Sequence, residues 1–117
     1  MRNLNQPFII NNASTTSTQA IDCTNTLRGS AQAVFSDPAA AGTLEFQASD
    51  DQTNAGNLPA DFTPTHWSVI PGTAQTVTAG ATTLIPYTEF SYRWVRVTFI
   101  STGGAGTITI SPNFLGY

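Results

Sequence analysis

The chain contains no lysine, one cysteine and one histidine, and only 9% of its 117 residues are charged. An ordinary cytosolic enzyme of this size would be about a quarter charged. Threonine is the commonest residue, so the surface must be built mainly from Thr, Ser, Asn, Gln and Ala. Such a surface is suited to burial against copies of itself or a larger assembly, because few charges would lose their hydration there.

Each of these scarcities argues against a class of function or site. The formal net charge of -3 argues against nonspecific nucleic-acid binding, since phosphate contacts need clustered Arg and Lys. The single Cys23 allows neither an internal disulfide nor a cysteine-based metal site, and we interpret it as a small buried apolar residue. No apolar run approaches the length of a membrane span, so no membrane partner is expected. The apolar patch at residues 7–10 is too short for a secretory signal, so we expect synthesis in the cytoplasm without a cleaved leader.

Short runs of β-branched and aromatic residues alternate with Gly, Pro, Asn and Asp clusters from Ala20 onward. No window holds helical periodicity over three turns. The pattern predicts eight strands, at residues 20–25, 30–36, 42–49, 65–70, 75–79, 82–87, 92–101 and 106–111. Strands spaced by about ten residues indicate an all-β fold, a single β-sandwich of about eight antiparallel strands of jelly-roll type.

Side-chain alternation along these runs predicts the core. The residues expected to be largely buried are Phe35, Leu44, Phe46, Val69, Leu84, Val95, Val97, Phe99, Ile108 and Ile110. Trp94, Arg96 and Thr98 should lie on the opposite face of their strand. Because both faces of that strand are partly apolar, we expect it to be central and covered on both sides.

Residues 1–18 differ from the remaining sandwich domain, residues 19–117, and are interpreted as an extended N-terminal arm or edge strand with a polar hinge. Phe8, Ile9 and Ile10 are adjacent, and they cannot all face one core because successive side chains of a strand alternate. One interpretation adds residues 7–11 to a neighbouring subunit or capsid protein, with residues 12–18 as the hinge. The other is an intramolecular first strand with Ile9 inward and Phe8 and Ile10 exposed.

The C-terminal residues are also apolar and should dock on their own domain or on a neighbouring subunit. Together with the N-terminal segment they give the interface candidates Phe8, Ile9, Ile10, Phe114, Leu115 and Tyr117.

Few residues are candidates for a catalytic or metal-binding role. His66 is flanked by Asp61 and Ser68 in sequence, but no Gly-x-Ser-x-Gly turn accompanies it, and we predict that the chain is not an enzyme and needs no cofactor. The long segment 50–64 is rich in oxygen ligands. Asp50, Asp51 and Asp61 are therefore weak candidates for a calcium site, although their spacing matches no fixed motif. The alternative is that these residues shape turns and cap loop amides.

Aromatic residues near arginine supply a candidate ligand platform, formed by Trp67, Trp94 and Arg96. Aromatic rings and a guanidinium can stack on a sugar, but in a sandwich of this size such residues more often fill the core. Arg96 is expected to pair with a carboxylate across strands, such as Glu45 or Glu89.

Four stretches of the chain share a recognisable pattern: GTLEFQASDD from Gly42, WSVIPG from Trp67, YRWVRVTF from Tyr92 and GAGTITI from Gly104. This pattern resembles small β-sandwich proteins of tailed-phage structural gene clusters, which serve as capsid decoration, head-fibre or tail-associated proteins. It is also similar to discoidin-type sandwiches, in which a Ser-Asp loop precedes a Trp. The resemblance covers residues 30–111.

The resemblance implies a phage virion structural protein, first a capsid decoration or cement protein that binds through surface area and edge-strand contacts. It implies a location in the virion after synthesis in the host cytoplasm, phage capsid or tail proteins as partners, and a homo-oligomer, with a trimer as first choice. The alternatives are a tail or fibre-base component, and a carbohydrate-binding or adhesion module of discoidin-like type. A solvent-exposed Trp pair would favour sugar binding, whereas exposed aliphatic and Thr-rich patches would favour assembly.

Overall fold

The structure is a computed structural model that describes residues 7–23, 26–51, 63–89 and 91–116. All regular secondary structure in these ranges is β-strand. The ten strands are β1 (Phe8–Asn11), β2 (Thr15–Ser17), β3 (Ile21–Asp22), β4 (Thr26–Phe35), β5 (Ala41–Ser49), β6 (Ser68–Val69), β7 (Gln75–Val77), β8 (Thr83–Glu89), β9 (Trp94–Gly103) and β10 (Thr107–Gly116).

The strands form two antiparallel sheets packed as a β-sandwich, which confirms the predicted fold class. Sheet A has the order β1-β10-β4-β8, and sheet B has the order β2-β9-β5-β6. In sheet B, β3 also pairs with β9 and β7 also pairs with β5. If β2 with β3 and β6 with β7 are each counted as one interrupted strand, eight strands remain, four in each sheet, and their order in the sheets is that of a jelly roll.

Each of the eight predicted segments contains a strand, but the N-terminal region holds more regular structure than the hinge interpretation allowed. Thr15–Ser17 pairs with residues 98–100 of β9, although this part of the chain was expected to be a polar loop. The Thr and Ser side chains of β2 carry no apolar alternation, so sequence alone gives no strand signal there. The segment between β1 and β2 crosses from sheet A to sheet B alongside the corner between β9 and β10, where Asn12 N–H donates to Gly106 O at 2.9 Å.

β1 is an intramolecular strand, but its inward face is the opposite of the one expected. It pairs antiparallel with β10, with Phe8 opposite Ile110 and Ile10 opposite Ile108. Phe8 and Ile10 pack against the core, while Ile9 is 73% exposed. Placing two apolar side chains inward and one outward buries more apolar surface than the reverse, which accounts for the observed register.

The core lies between the sheets and contains most of the predicted residues. Leu44, Phe46, Val95, Val97, Phe99, Ile108 and Ile110 are fully buried, and Phe35 packs partly buried against them, with its ring centroid 5.2 Å from that of Phe99. As expected, β9 is covered on both sides, since Trp94 and Thr98 are buried as well.

Two core predictions are wrong. Val69 is exposed because β6 pairs it with Gln47 on the outer side of sheet B, and the buried residue is the following Ile70. Leu84 is exposed because its neighbour Ile85 lies opposite the buried Ala31 and therefore takes the inward position. In both strands two apolar residues are adjacent, so the sequence does not say which of them faces inward.

β10 continues well past its predicted end at residue 111. Phe114 is buried in the core, with its ring centroid 5.8 Å from that of Phe46. Gly29 on β4 lies directly opposite Phe114, and a Cβ at Gly29 would collide with the Phe114 ring. Glycine at this position therefore makes room for the aromatic ring that closes this end of the core.

Candidate functional site

The outer side of sheet B carries a polar network centred on Arg96. Gln47 lies opposite Arg96 in the β5–β9 register, and Glu45 lies opposite Thr98. The Arg96 guanidinium donates to Gln47 Oε1 from Nε at 2.9 Å and from Nη2 at 2.7 Å. Gln47 Nε2 in turn donates to Glu45 Oε2 at 2.9 Å. The expected pairing of Arg96 with a carboxylate, Glu45 or Glu89, is wrong, because the register places Gln47 opposite the arginine. Glu45 bonds to the Gln47 amide instead.

The three residues of the candidate ligand platform are not an open platform. Trp94 is only 8% exposed, and its Nε1–H donates to Asp51 O at 3.2 Å. Trp67 is half-buried, and the Arg96 guanidinium lies 4.2 Å from its ring centroid. Burial lowers the pKa of Arg96, but arginine remains charged at any physiological pH. The arginine thus covers one face of the Trp67 ring.

Asp50 and Asp51 begin the long segment 50–64, and the structure gives both of them capping roles. Asp50 Oδ1 accepts the N–H of Arg93 at 2.8 Å. Asp51 Oδ2 accepts the N–H groups of Thr65 at 2.8 Å and of His66 at 3.0 Å. These bonds hold the pKa of Asp51 below its usual value, and they tie the two ends of the segment together. The capping interpretation therefore describes both residues.

Asp61, the third weak candidate for a metal ligand, lies outside the described residues. Within the described ranges, no group of three or more His, Cys, Asp or Glu side chains is placed to hold a metal ion.

His66 stands at the surface, with its side chain 86% exposed. Its Nδ1 lies 3.1 Å from Asp51 Oδ1 and 3.2 Å from Thr65 Oγ1. Ser68, two residues further along the chain, pairs with Ala48 in β6. The imidazole therefore adds a side-chain contact to the Asp51 cap.

Cys23 is buried, as predicted, and its backbone N–H donates to Arg93 O at 2.7 Å. Burial raises the pKa of its thiol to about 12, with a smaller contribution from the neighbouring Asp22 carboxylate. A thiol in this state carries almost no thiolate at neutral pH, so it is a poor nucleophile.

The six predicted interface residues divide into core and surface. Phe114 is buried in the core, and Phe8 and Ile10 are partly buried and pack against it. Ile9 and Leu115 are exposed, at 73% and 43%. Tyr117 lies outside the described residues.

Ile9 and Leu115 belong to one surface, the outer side of sheet A, which we call face A. Alternation and register place three further exposed apolar residues on it: Val34 at 42%, Leu84 at 61% and Tyr87 at 57%. Pro86 and Tyr87 lie at a β-bulge in β8, where the register shifts between Gly29 and Ala31. Most other positions on face A are Ser, Thr, Asn and Gln.

Some of the exposed apolar residues of face A could be predicted from the sequence. In residues 30–36 the inward set Ala31, Ala33 and Phe35 implies that Val34 points outward. Leu84 was missed because it sits beside Ile85, and Tyr87 because a bulge interrupts the alternation.

Among the described residues, no helix has the length and hydropathy needed to cross a membrane. No family model matches the chain, and the searches of curated proteins and of solved structures gave no match either.

Proposed function

We propose that the chain is a structural protein of a tailed-phage virion, which decorates the capsid and binds through surface area and edge-strand contacts. The virion setting rests on the sequence resemblance described above. The jelly-roll fold is compatible with it but does not decide the question, since viral capsid proteins and lectins both use this fold.

The observation that carries the proposal is the composition of face A. Five of its residues are large, apolar and exposed, and they stand among Ser, Thr, Asn and Gln side chains. Its only charged residues among those described are Arg28 and Glu89, which lie opposite each other on β4 and β8. A partner could cover this surface while desolvating a single pair of opposite charges, which is the requirement for assembly through area burial.

β1 offers the second kind of contact. It is a terminal strand of sheet A in the described strand order. None of its four residues is charged or a proline. The opposite terminal strand, β8, carries Pro86 and a bulge, two features that block strand addition. An extended segment of a capsid protein would therefore add at β1 rather than at β8.

The same observations weigh against the carbohydrate-binding alternative. Sugar recognition by aromatic residues needs a ring face open to solvent. Trp94 is buried and Arg96 lies over Trp67, whereas the exposed apolar residues of face A are mainly aliphatic.

The test is to locate the protein in purified particles. Antibodies against the full chain would be applied, with immunogold detection, to virions purified from the phage or prophage that encodes it. Mass spectrometry of the same preparation would establish whether the chain is present. We expect labelling of the head. Labelling of the tail would support the tail or fibre-base alternative, and absence from purified virions, together with glycan-array binding, would overturn the proposal.

A further inference from the structure

We infer that face A binds the same face of a second copy of this chain, giving a two-fold dimer through the outer sides of two A sheets. The inference rests on the proposal that the chain is an assembly protein and names the partner of its least charged surface.

Three of the exposed apolar residues of face A, Ile9, Val34 and Leu84, are close enough to form one patch. Ile9, Thr109 and Val34 are successive partners across β1, β10 and β4. Ile9 and Val34 are therefore two strands apart, roughly 10 Å. Leu84 lies opposite Gln32, two residues from Val34 on the neighbouring strand, so it is a diagonal neighbour of Val34. Exposed aliphatic groups collected in this way gain from mutual burial.

The charge distribution favours a second copy as the occupant. Arg28 and Glu89 cancel each other on face A, so the formal net charge of -3 belongs to the other residues of the chain. The remaining described carboxylates lie on sheet B or in loops, at Asp22, Asp37, Glu45, Asp50 and Asp51. Two copies that approach through any surface bearing this excess repel each other, whereas two A faces bring together equal numbers of opposite charges.

A two-fold contact also suits the form of this surface. In such an interface the same patch serves both subunits, so it must be complementary to itself. A sheet surface without net charge, with small polar side chains and an aliphatic patch toward one end of its strands, meets that condition. Four strands spaced about 4.8 Å apart and up to ten residues long give roughly 500 Å² per copy. A total of roughly 1,000 Å² is at the lower limit for specific complexes, so the dimer should dissociate reversibly.

The experiment is sedimentation velocity of the full-length chain from about 1 μM to about 1 mM, the range in which interfaces of this size dissociate. We expect a monomer–dimer equilibrium. Leu84→Asp, which places a charge within the patch, should weaken association at least about tenfold. Val69→Asp on sheet B is the matched control, because Val69 is also exposed, at 47%, and should leave the equilibrium unchanged. Thermal denaturation of both variants verifies that each remains folded.

Three results would overturn the dimer: a wild-type monomer at every concentration, a trimer, or dimerisation that Leu84→Asp leaves intact. None of them bears on whether the chain is found in virions. If the chain is monomeric and is found on phage heads, the dimer is rejected and the proposed function stands. If the chain dimerises through face A but is absent from virions, the dimer stands and the proposed function is rejected.

Discussion

Gln47 and Arg96 face each other across β5 and β9, and a single side-chain oxygen of Gln47 accepts both the Nε and the Nη2 donors of the guanidinium. The same guanidinium lies over the Trp67 ring. Arg96 thus packs Trp67, the residue that precedes β6, against the centre of sheet B.

Loss of this arginine should destabilise the fold. Arg96→Ala leaves Gln47 Oε1 without its two donors and uncovers Trp67, so we expect the free energy of unfolding to fall by about 1–3 kcal/mol. Urea denaturation provides the measurement. Arg28→Ala, on the exposed outer side of sheet A, should change stability by less than about 0.5 kcal/mol. Equal effects of the two substitutions would show that the Arg96 network contributes nothing of its own.

The two fully buried phenylalanines should contribute most to the core. Phe46→Ala or Phe99→Ala removes a ring with no exposed surface, and each should cost about 3–5 kcal/mol because of lost burial and the cavity left behind. This is much of the stability of a small domain. Leu84→Ala is the control, with an expected change below about 0.5 kcal/mol because Leu84 is largely exposed. A negligible shift of the unfolding midpoint for either phenylalanine variant would contradict the strand register.

Substitution of Gly29 tests the packing at the end of β10, and substitution of Gly103 in β9 is the control. Gly29→Ala would drive a methyl group into the Phe114 ring, and we expect a loss of about 1–3 kcal/mol from overpacking. A Cβ at Gly103 would meet nothing within 4 Å, so Gly103→Ala should be nearly neutral. The unfolding midpoints of the two variants should therefore differ. Similar midpoints would place Phe114 outside the core.

The Asp51 cap predicts a dependence of stability on pH. Hydrogen bonds from Thr65 and His66 lower the pKa of Asp51 in the folded chain below its usual 3.8. Such a group stabilises the fold fully above its unfolded pKa, and the contribution is lost as the pH falls through the folded pKa. Asp51→Ala should therefore be less stable than the wild type at neutral pH, and the difference in melting temperature should shrink in acid. A difference that is constant with pH would assign the effect to something other than this carboxylate.

Deletion of residues 1–11 distinguishes a swapping arm from an integral strand. Because Phe8 and Ile10 pack against the core, we expect the deletion to lower the free energy of unfolding by about 2–4 kcal/mol. The melting temperature of the monomer, measured at low protein concentration, decides the matter. An unchanged melting temperature with loss of particle binding would instead support an arm that pairs with a neighbouring protein.

Local sequence patterns were sufficient to predict the class of fold and the position of most strands. Alternation in Leu44-Glu45-Phe46 and in Thr107-Ile108-Thr109-Ile110, bounded by glycine and proline turns, specifies strands with one buried face. The buried positions of these strands were predicted correctly because each apolar residue there is flanked by polar ones, so only one register buries them.

Tertiary structure alone decided three further features. Adjacent apolar pairs such as Val69-Ile70 and Leu84-Ile85 fit either face, and the choice came from the residue opposite on the neighbouring strand. The partner of Arg96 depended on register between strands 49 residues apart in the chain, which no local pattern encodes. Face A exists because separate segments converge in one sheet, so its exposed patch is a property of strand order and not of any single stretch of sequence.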